Sequence, residues 1–533
     1  MTAPGGRAAH DAVVIGAGPN GLVAANLLAD AGWRVLVVEA APEPGGAVRS
    51  DRGVHPDYVN DLFSSFYPLA VASPALRRLR LERWGLTWRH APAVLAHPLP
   101  DGRCAVLHRD AERTAASLDA LAPGDGEAWL RLVARWDRLA PHLVDALLGP
   151  FPPVRRGAAL LRRLLPPAEG LRLLRGLALP ARRLGDEEFT GPGGPLLLTG
   201  SALHADLTPE SAGSGAFGWL LTMLGQRHGW PVPAGGAGRL TDALTRRFTA
   251  LGGEVRCGAP VARIDVRDGR CTGVRLADGE RVPARRAVLA DVPAPALYGG
   301  LVDWAHLPAR LREDVRRFEW DHPTFKVDWA LTRPIPWAAP GAAAGGTVHL
   351  APDRDHLTRY AADLAQGRVP AEPFVILGQM TTADPGRSPA GTESAWAYTH
   401  LPRAAHRATP GELADRLEAA VERFAPGFRD TVAARRVLTP ADLRARNPSL
   451  EHGTLGGGTA APHQQLVFRP VPGTGRPGTP VAGLYLASSS AHPGGGVHGA
   501  CGANAARAAL HAARWRTGRD RGGRNSAWPS GRS

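Results

Sequence analysis

"DAVVIGAGPNGLVAANLLADAGWRVLVVEA", residues 11–40, decides the fold. A short apolar strand, Asp11–Ile15, runs straight into Gly16, Gly18 and Gly21 in GxGxxG spacing. A helix is expected from about Gly21 to Ala31, with Gly32 at its C-terminus. A second apolar strand, Arg34–Val38, then ends at Glu39. The glycines serve three physical needs, namely a tight turn, close backbone approach to a pyrophosphate, and close packing of helix on strand. The helix N-terminus offers unpaired N–H groups and a partial positive charge to phosphates. Glu39 stands where a carboxylate accepts hydrogen bonds from an adenosine ribose. Strand, helix and acid fall in register, so the stretch reads as a dinucleotide site in an α/β, Rossmann-type domain. The motif alone does not separate NAD from FAD.

The residues after Glu39 point to flavin. Gly45 and Gly46 come next, then Arg49 and Ser50. This arrangement resembles the second glycine pair of FAD-binding oxidoreductases of the glutathione-reductase-like superfamily. The resemblance implies that backbone at Gly45 and Gly46, with the Arg49 side chain, reaches the pyrophosphate and ribityl end. Farther on, "GAPVARIDVRDGRCTGVRLADGERVPARRAVLADVP" alternates as a β-meander with Asp268-Gly269 and Asp278-Gly279 turns. In FAD proteins of this type Val261 would touch the adenine, and Ala290 would end a strand returning to the nucleotide sheet. Near the C-terminus, "GLYLASSSAHPGGGVHGACGANAARAAL" gives a strand, a glycine-rich loop and an alanine-rich helix. Gly495 and Gly496, with Val497, would let backbone approach a planar ring, and the helix would aim its positive end at the flavin N1/C2 carbonyl.

Together with "GWPVPAGGAGRLTDAL", "FKVDWAL" and "RFAPGF", these stretches resemble the phytoene-desaturase-like FAD oxidoreductases along nearly the whole chain. The family fold and non-covalent FAD follow as expectations. The FAD domain is expected from residues 11–73, 233–300 and 453–515. A discontinuous α+β substrate (cap) domain is expected from 74–232 and 301–452, with a disordered N-terminus (1–10) and a basic disordered tail (516–533). "SSSAHPGGG" lacks the acid that many flavoproteins place on the ribitol, leaving a serine hydroxyl to substitute. No second strand–GxGxxG–helix unit exists, so electrons are expected to leave to O2 or a quinone. "LGGGTAAP" near Gly456 reads as a loop. The expected activity is removal of a hydride and a proton from an apolar small molecule, best as desaturation. Amine or alcohol oxidation, a redox-neutral isomerase or saturase, and a flavin-binding protein without turnover are the alternatives.

Composition narrows the partners. The chain of 533 residues has a formal net charge of +14. Arg155–Arg183 holds eight arginines against Glu169, and the tail after Ala513 holds six against Asp520. The rest is almost neutral, and no nucleic-acid-binding motif appears, so none is expected as a partner. Arginine pairs alternating with leucines between 155 and 183 suggest peripheral membrane contact, against a plain solvated cap. The N-terminus lacks a secretory h-region, which makes the cytoplasm the expected location, membrane-associated if that segment meets lipid. Cys104, Cys257, Cys271 and Cys501 show no metal or disulfide spacing, and no metal is expected. His204, His228, His492 and His498 could face the site, but none is assigned as a base. The apolar helical stretch 216–230 suits a cavity wall, with core packing for most of its residues.

Lys326 is the only lysine among 63 basic side chains. In "FKVDW" it shares a strand face with Asp328. Two accounts stand: a buried Lys326–Asp328 pair, or an ammonium near flavin N5 of the kind found in flavin amine oxidases, which makes Lys326 the catalytic candidate.

Overall fold

The computed structural model describes residues 10–154, 167–404 and 407–522. The expectations for residues 1–9, for Arg155, Arg156, Arg162 and Arg163, and for the chain after 522 lie outside the described residues. Strand β1 (His10–Ile15) and strand β2 (Val35–Val38) pair in parallel through Ala12–Val35 to Ile15–Val38. Both are apolar on both faces, as interior strands of a parallel sheet must be. Helix α1 (Pro19–Asp30) begins two residues earlier than the glycine spacing suggests. Proline, which has no N–H and a fixed φ, suits the first helical turn.

The first sheet has the order 261–267, 270–276, 281–290, β1, β2, 254–256, with Leu484–Leu486 paired in parallel to 281–290. Its strands come from 10–38, 254–290 and 484–486, so chain segments far apart in sequence meet on one nucleotide-type sheet. The meander is present: Val261–Arg267, Arg270–Leu276 and Arg281–Ala290 pair antiparallel in turn. The helix Ala500–Gly522 packs beside α1 over this sheet and runs past the boundary at 515 expected from the sequence.

A second seven-stranded sheet has the order 432–438, 324–331, 393–400, 375–379, 345–350, 93–98, 104–107. Strand Thr324–Leu331 is entirely buried. Phe325, Val327, Trp329 and Leu331 pack with Leu413, Leu417 and Val421 of the helix Pro410–Phe424. Period-2 alternation therefore turns Thr324 and Lys326 to the opposite face. That face, and the helix Ser214–His228, close over the C-terminal ends of β1 and 281–290. No helix among the described residues is long and apolar enough to cross a membrane.

Candidate active site

One cavity of about 1090 Å³ runs from the glycine loop after β1 to the second sheet. Among the residues expected from the sequence, Gly16, Gly18, Glu39, Gly46, Val261, Gly495, Gly496, Val497 and Lys326 line it. Gly21, Gly45, Arg49 and Ala290 do not. Gly21 lies one layer behind, where a Cβ would stand 2.1 Å from the Gly16 carbonyl oxygen. Gly45 donates its N–H to the Ala17 carbonyl (2.9 Å) and supports the loop from outside. Arg49 is turned away from the pyrophosphate role expected of it. Its Nε bonds the Gly46 carbonyl (3.1 Å), one Nη bonds the Arg446 carbonyl (2.5 Å), and its guanidinium lies over the Phe63 ring. Ala290 is fully buried in its strand, and the chain first reaches the cavity just past it, at Asp291, Val292 and Pro293.

The start of α1 lines the cavity through Gly18, Pro19 and Asn20. Gly18 caps the helix without a side-chain hydrogen bond, and Asn20 Oδ1 is buried without a partner. Glu39 accepts from the Ala17 N–H (2.7 Å) and the Ala41 N–H (2.8 Å), which ties the end of β2 to the glycine loop. Asp291, which no sequence motif marks, accepts the Gly21 N–H at 2.8 Å. Burial, with the Glu39 charge adding to it, pushes the Asp291 carboxyl up to about 7.

At the other end of the cradle, Asp321 accepts from the N–H groups of Leu455 (2.9 Å), Gly456 (2.7 Å) and Gly458 (3.2 Å). Arg469 is buried and donates to the carbonyls of Thr459 (2.9 Å), Gly457 (3.1 Å) and Ser489 (2.7 Å). "LGGGTAAP" is thus a loop, as its sequence suggests, but one that Asp321 and Arg469 fix into the cavity wall. Gly495 packs against it so closely that a Cβ would lie 2.7 Å from the Gly456 carbonyl oxygen. Of the three serines, Ser490 Oγ donates to the Gly457 carbonyl, whereas the Ser489 hydroxyl lines the cavity and has no hydrogen-bond partner among the described residues. His498 accepts the Ala500 N–H through Nδ1 (3.0 Å), a backbone-capping contact that also takes one donor from the final helix. Cys501 is buried, and burial pushes its thiol up to about 12, as for an inert small side chain.

Lys326 forms the pair expected with Asp328 and also reaches the cavity. Its ammonium pairs with Asp328, and Nζ donates to the Asp61 carbonyl at 2.9 Å. It also lines the cavity, 6.0 Å from the centre of the Trp396 ring. Burial lowers its pKa, although Asp328 opposes the shift. Asp328 has a further partner, Arg436, whose Nη2 donates to Oδ2 at 2.9 Å.

With this geometry in place, the chain can be set beside known proteins. The family model described as "Flavin containing amine oxidoreductase" matches residues 20–510. The chain belongs to that family. It is 30% identical to pyridine nucleotide-disulfide oxidoreductase domain-containing protein 2 of Rattus norvegicus, over 93% of this chain and 92% of that one. It is 26% identical to a neurosporene-forming phytoene desaturase of Rhodobacter capsulatus, over 91% of each. An oxidoreductase from Methanosarcina mazei has the same fold, with a TM-score of 0.62 at 16% identity, covering 94% of this chain and 99% of that one. The protein is therefore an FAD-dependent oxidoreductase of α/β fold.

The chain's own residues fit FAD. The glycine positions hold no side chain where a Cβ would collide, Gly18, Pro19 and Asn20 at the start of α1 line the cavity, and Ser489 lines it with a hydroxyl that no described residue engages. Asp291 gives this fit a pH dependence. Its raised pKa leaves it largely neutral below about 7 and anionic above, beside an anionic pyrophosphate. FAD affinity is expected to fall about 3-fold as pH rises from 6 to 8.5 at moderate salt. Titration of apoprotein by flavin fluorescence measures this. Asp291→Asn should flatten the curve, and an unchanged slope in that variant would remove Asp291 as its cause.

Proposed function

We propose that this oxidoreductase removes a hydride and a proton from a largely apolar organic molecule, with desaturation as the outcome. The observation that carries the reading is the continuity of the cavity from the glycine cradle to a wall that includes Leu143, Leu147, Phe217 and Leu220. Such a wall supplies shape and excludes water, and offers no charge to bind an ion. The relative named for phytoene desaturation supports the same reading. FAD, when bound, accepts the hydride. The protein orients the substrate, keeps the cavity dry and handles the proton. Lys326 is the candidate proton carrier: the Asp61 carbonyl and Asp328 fix its Nζ, and its lowered pKa favours release of a proton. The electrons then pass to O2 or a quinone.

The test is anaerobic bleaching of the bound flavin by candidate polyenes, amines and alcohols, with mass analysis of the product. A product lighter by two hydrogens, without added oxygen, is expected. Bleaching by amines or alcohols alone, giving carbonyl products, would replace desaturation by oxidase chemistry.

The same reading includes a lipid surface as partner. Leu171 and Leu174 on the helix Pro167–Ala178 are 68% and 61% exposed, and Phe468 is 45% exposed. Leu177, Leu455 and Leu466, also exposed, reach into the cavity, so the apolar surface is continuous with its mouth. Of the basic segment, Arg175 and Arg183 pair with Glu187, and Arg182 pairs with Asp355. Among the described residues these pairs neutralise three of the arginines, and the leucines and Phe468 offer the apolar contact. Sedimentation with vesicles of phosphatidylcholine and phosphatidylglycerol should deplete the protein from solution and weaken only partly at high salt. Leu174→Asp with Phe468→Asp should reduce the bound fraction several-fold. No sedimentation at low ionic strength would leave only a solvated cap.

A further inference from the structure

The cavity does not end in hydrocarbon. Lys326, Tyr398, Ile376 and His349 form one row across adjacent strands of the second sheet. His349 therefore lies three strand spacings from Lys326, roughly 14 Å away. There His349 meets His204, Nε2 to Nε2, at 2.7 Å, and the Trp230 ring lies edge-on to His204 at 5.1 Å. His204, Trp230, Thr347, Tyr398, His400 and His322 all line this part of the cavity.

Unpartnered polarity sets the region apart. Trp230 Nε1, Thr347 Oγ1 and His322 Nδ1 are buried without a hydrogen-bond partner, and Trp230 and Thr347 are only 4% and 1% exposed. The Tyr398 hydroxyl makes no hydrogen bond among the described residues. Buried polar groups are almost always satisfied, and leaving one unmet costs stability. Trp230 Nε1 is turned to Gly225 behind the wall, but Thr347, His322 and Tyr398 line one cavity with unmet groups, which marks a place where something else completes them. The wall is also neutral. Burial pushes His204 and His400 down to about 3 and His322 to about 4, so no imidazolium is available to hold an anion at neutral pH. Two carboxylates at the wall are already engaged. Asp206 pairs with Arg403 (3.0 Å) and accepts the Ala460 N–H (2.7 Å), and Asp321 accepts the backbone N–H groups given above. An ammonium would find no free carboxylate there. No His, Cys, Asp or Glu cluster among the described residues has metal-site geometry.

We propose that this end of the cavity is a subsite for an uncharged oxygen function, a hydroxyl or a carbonyl, borne on the apolar substrate remote from its reacting carbons. The inference rests on the apolar-substrate reading above and deepens it. A hydroxyl or carbonyl oxygen accepts from the Tyr398 hydroxyl, and a hydroxyl also donates to Thr347 or a neutral imidazole. A pure hydrocarbon leaves all of them unmet, and a site built for hydrogen bonds rejects a ligand without them. Reacting carbons near Lys326 and an oxygen near His204 set the separation at roughly 14 Å, a chain of about ten carbons or more.

The test is binding to the holoprotein, read from perturbation of the flavin absorption spectrum. Matched ligands of one length are compared: an alkane, its terminal alcohol, its methyl ketone and its primary ammonium. The alcohol and ketone are expected to bind about 5-fold tighter than the alkane, and the ammonium no tighter than the alkane. Tyr398→Phe and Thr347→Val, which each change a single polar atom, should bring the alcohol-to-alkane ratio toward one, and His204→Phe should do the same. Equal affinities in the wild type, a ratio unchanged in all three variants, or a preference for the ammonium would each overturn the subsite. If none of the ligands binds, the apolar-substrate reading falls, and the subsite with it. If the preference is found while no polyene bleaches the flavin, the subsite stands and desaturation alone is lost.

Discussion

Replacing Glu39 by arginine is expected to leave the purified protein colourless, with FAD occupancy below about a tenth of wild type. Glu39 accepts two backbone N–H groups, from Ala17 and Ala41, and its charge faces the cavity beside the start of α1. An arginine brings only donors to a point where two donors already converge. It also places a cation next to the positive end of the helix. The glycine loop loses its tie to β2, and the adenosine ribose loses its acceptor. Two charge-assisted hydrogen bonds at roughly 1.5–3 kcal/mol each are more than enough to empty the site. Glu39→Gln is the control: one carbonyl oxygen still accepts an N–H, so partial occupancy is expected. Absorbance at the flavin band against protein concentration measures both. Wild-type occupancy in Glu39→Arg would contradict the ribose assignment. Bound flavin should leave with the supernatant on acid precipitation, since Cys501 is buried and in its thiol form.

The first forty residues are legible because everything they need is local. Strand, turn, helix and acid follow one another, and the glycines announce close backbone contacts directly. Legibility falls where a role depends on pairing between distant strands. Asp291 becomes the partner of Gly21 only because 281–290 runs parallel beside β1 in a particular register. Its one local trace is its position just after an apolar strand in "AVLADVP". Arg49 misleads for a related reason. A basic residue after a glycine pair suggests a phosphate contact, but the Gly46 and Arg446 carbonyls and the Phe63 ring already hold its guanidinium. Asp321, Arg469 and the 456–458 loop leave no sequence pattern, because three separate segments build them. The His204–His349 contact joins a helix end to a strand 145 residues later, and neither residue has a motif around it.

Lys326 shows how a correct local reading can still give the wrong energy. Its i, i+2 relation to Asp328 is legible from strand alternation, and the pair is formed. From the pair alone, Lys326→Met would strand a buried carboxylate at a cost of roughly 3–5 kcal/mol. Register with the strand Val432–Leu438 changes that, because it sets Arg436 opposite Asp328, with Nη2 and Nε donating to Oδ2. Asp328 therefore keeps a cation in the variant, though its Oδ1 and the Asp61 carbonyl both lose their donor. The expected loss is nearer ~2–4 kcal/mol, that of two unmet buried acceptors, one of them on a carboxylate that keeps a cation. Holding two acceptors does not by itself call for lysine, since an arginine also donates to both, whereas a proton-exchanging group at the cavity wall does. Burial already lowers the amine's pKa, and an arginine would remain charged. Lys326→Met should thus hold normal FAD and melt a few degrees lower. After chemical reduction it should be reoxidised by O2 at least ~10-fold more slowly, about 1.4 kcal/mol of barrier. Stopped-flow absorbance at the flavin band gives the rate, and calorimetry gives the stability. Reoxidation at the wild-type rate, with the loss confined to stability, would make Lys326 a structural partner of Asp328 and nothing more.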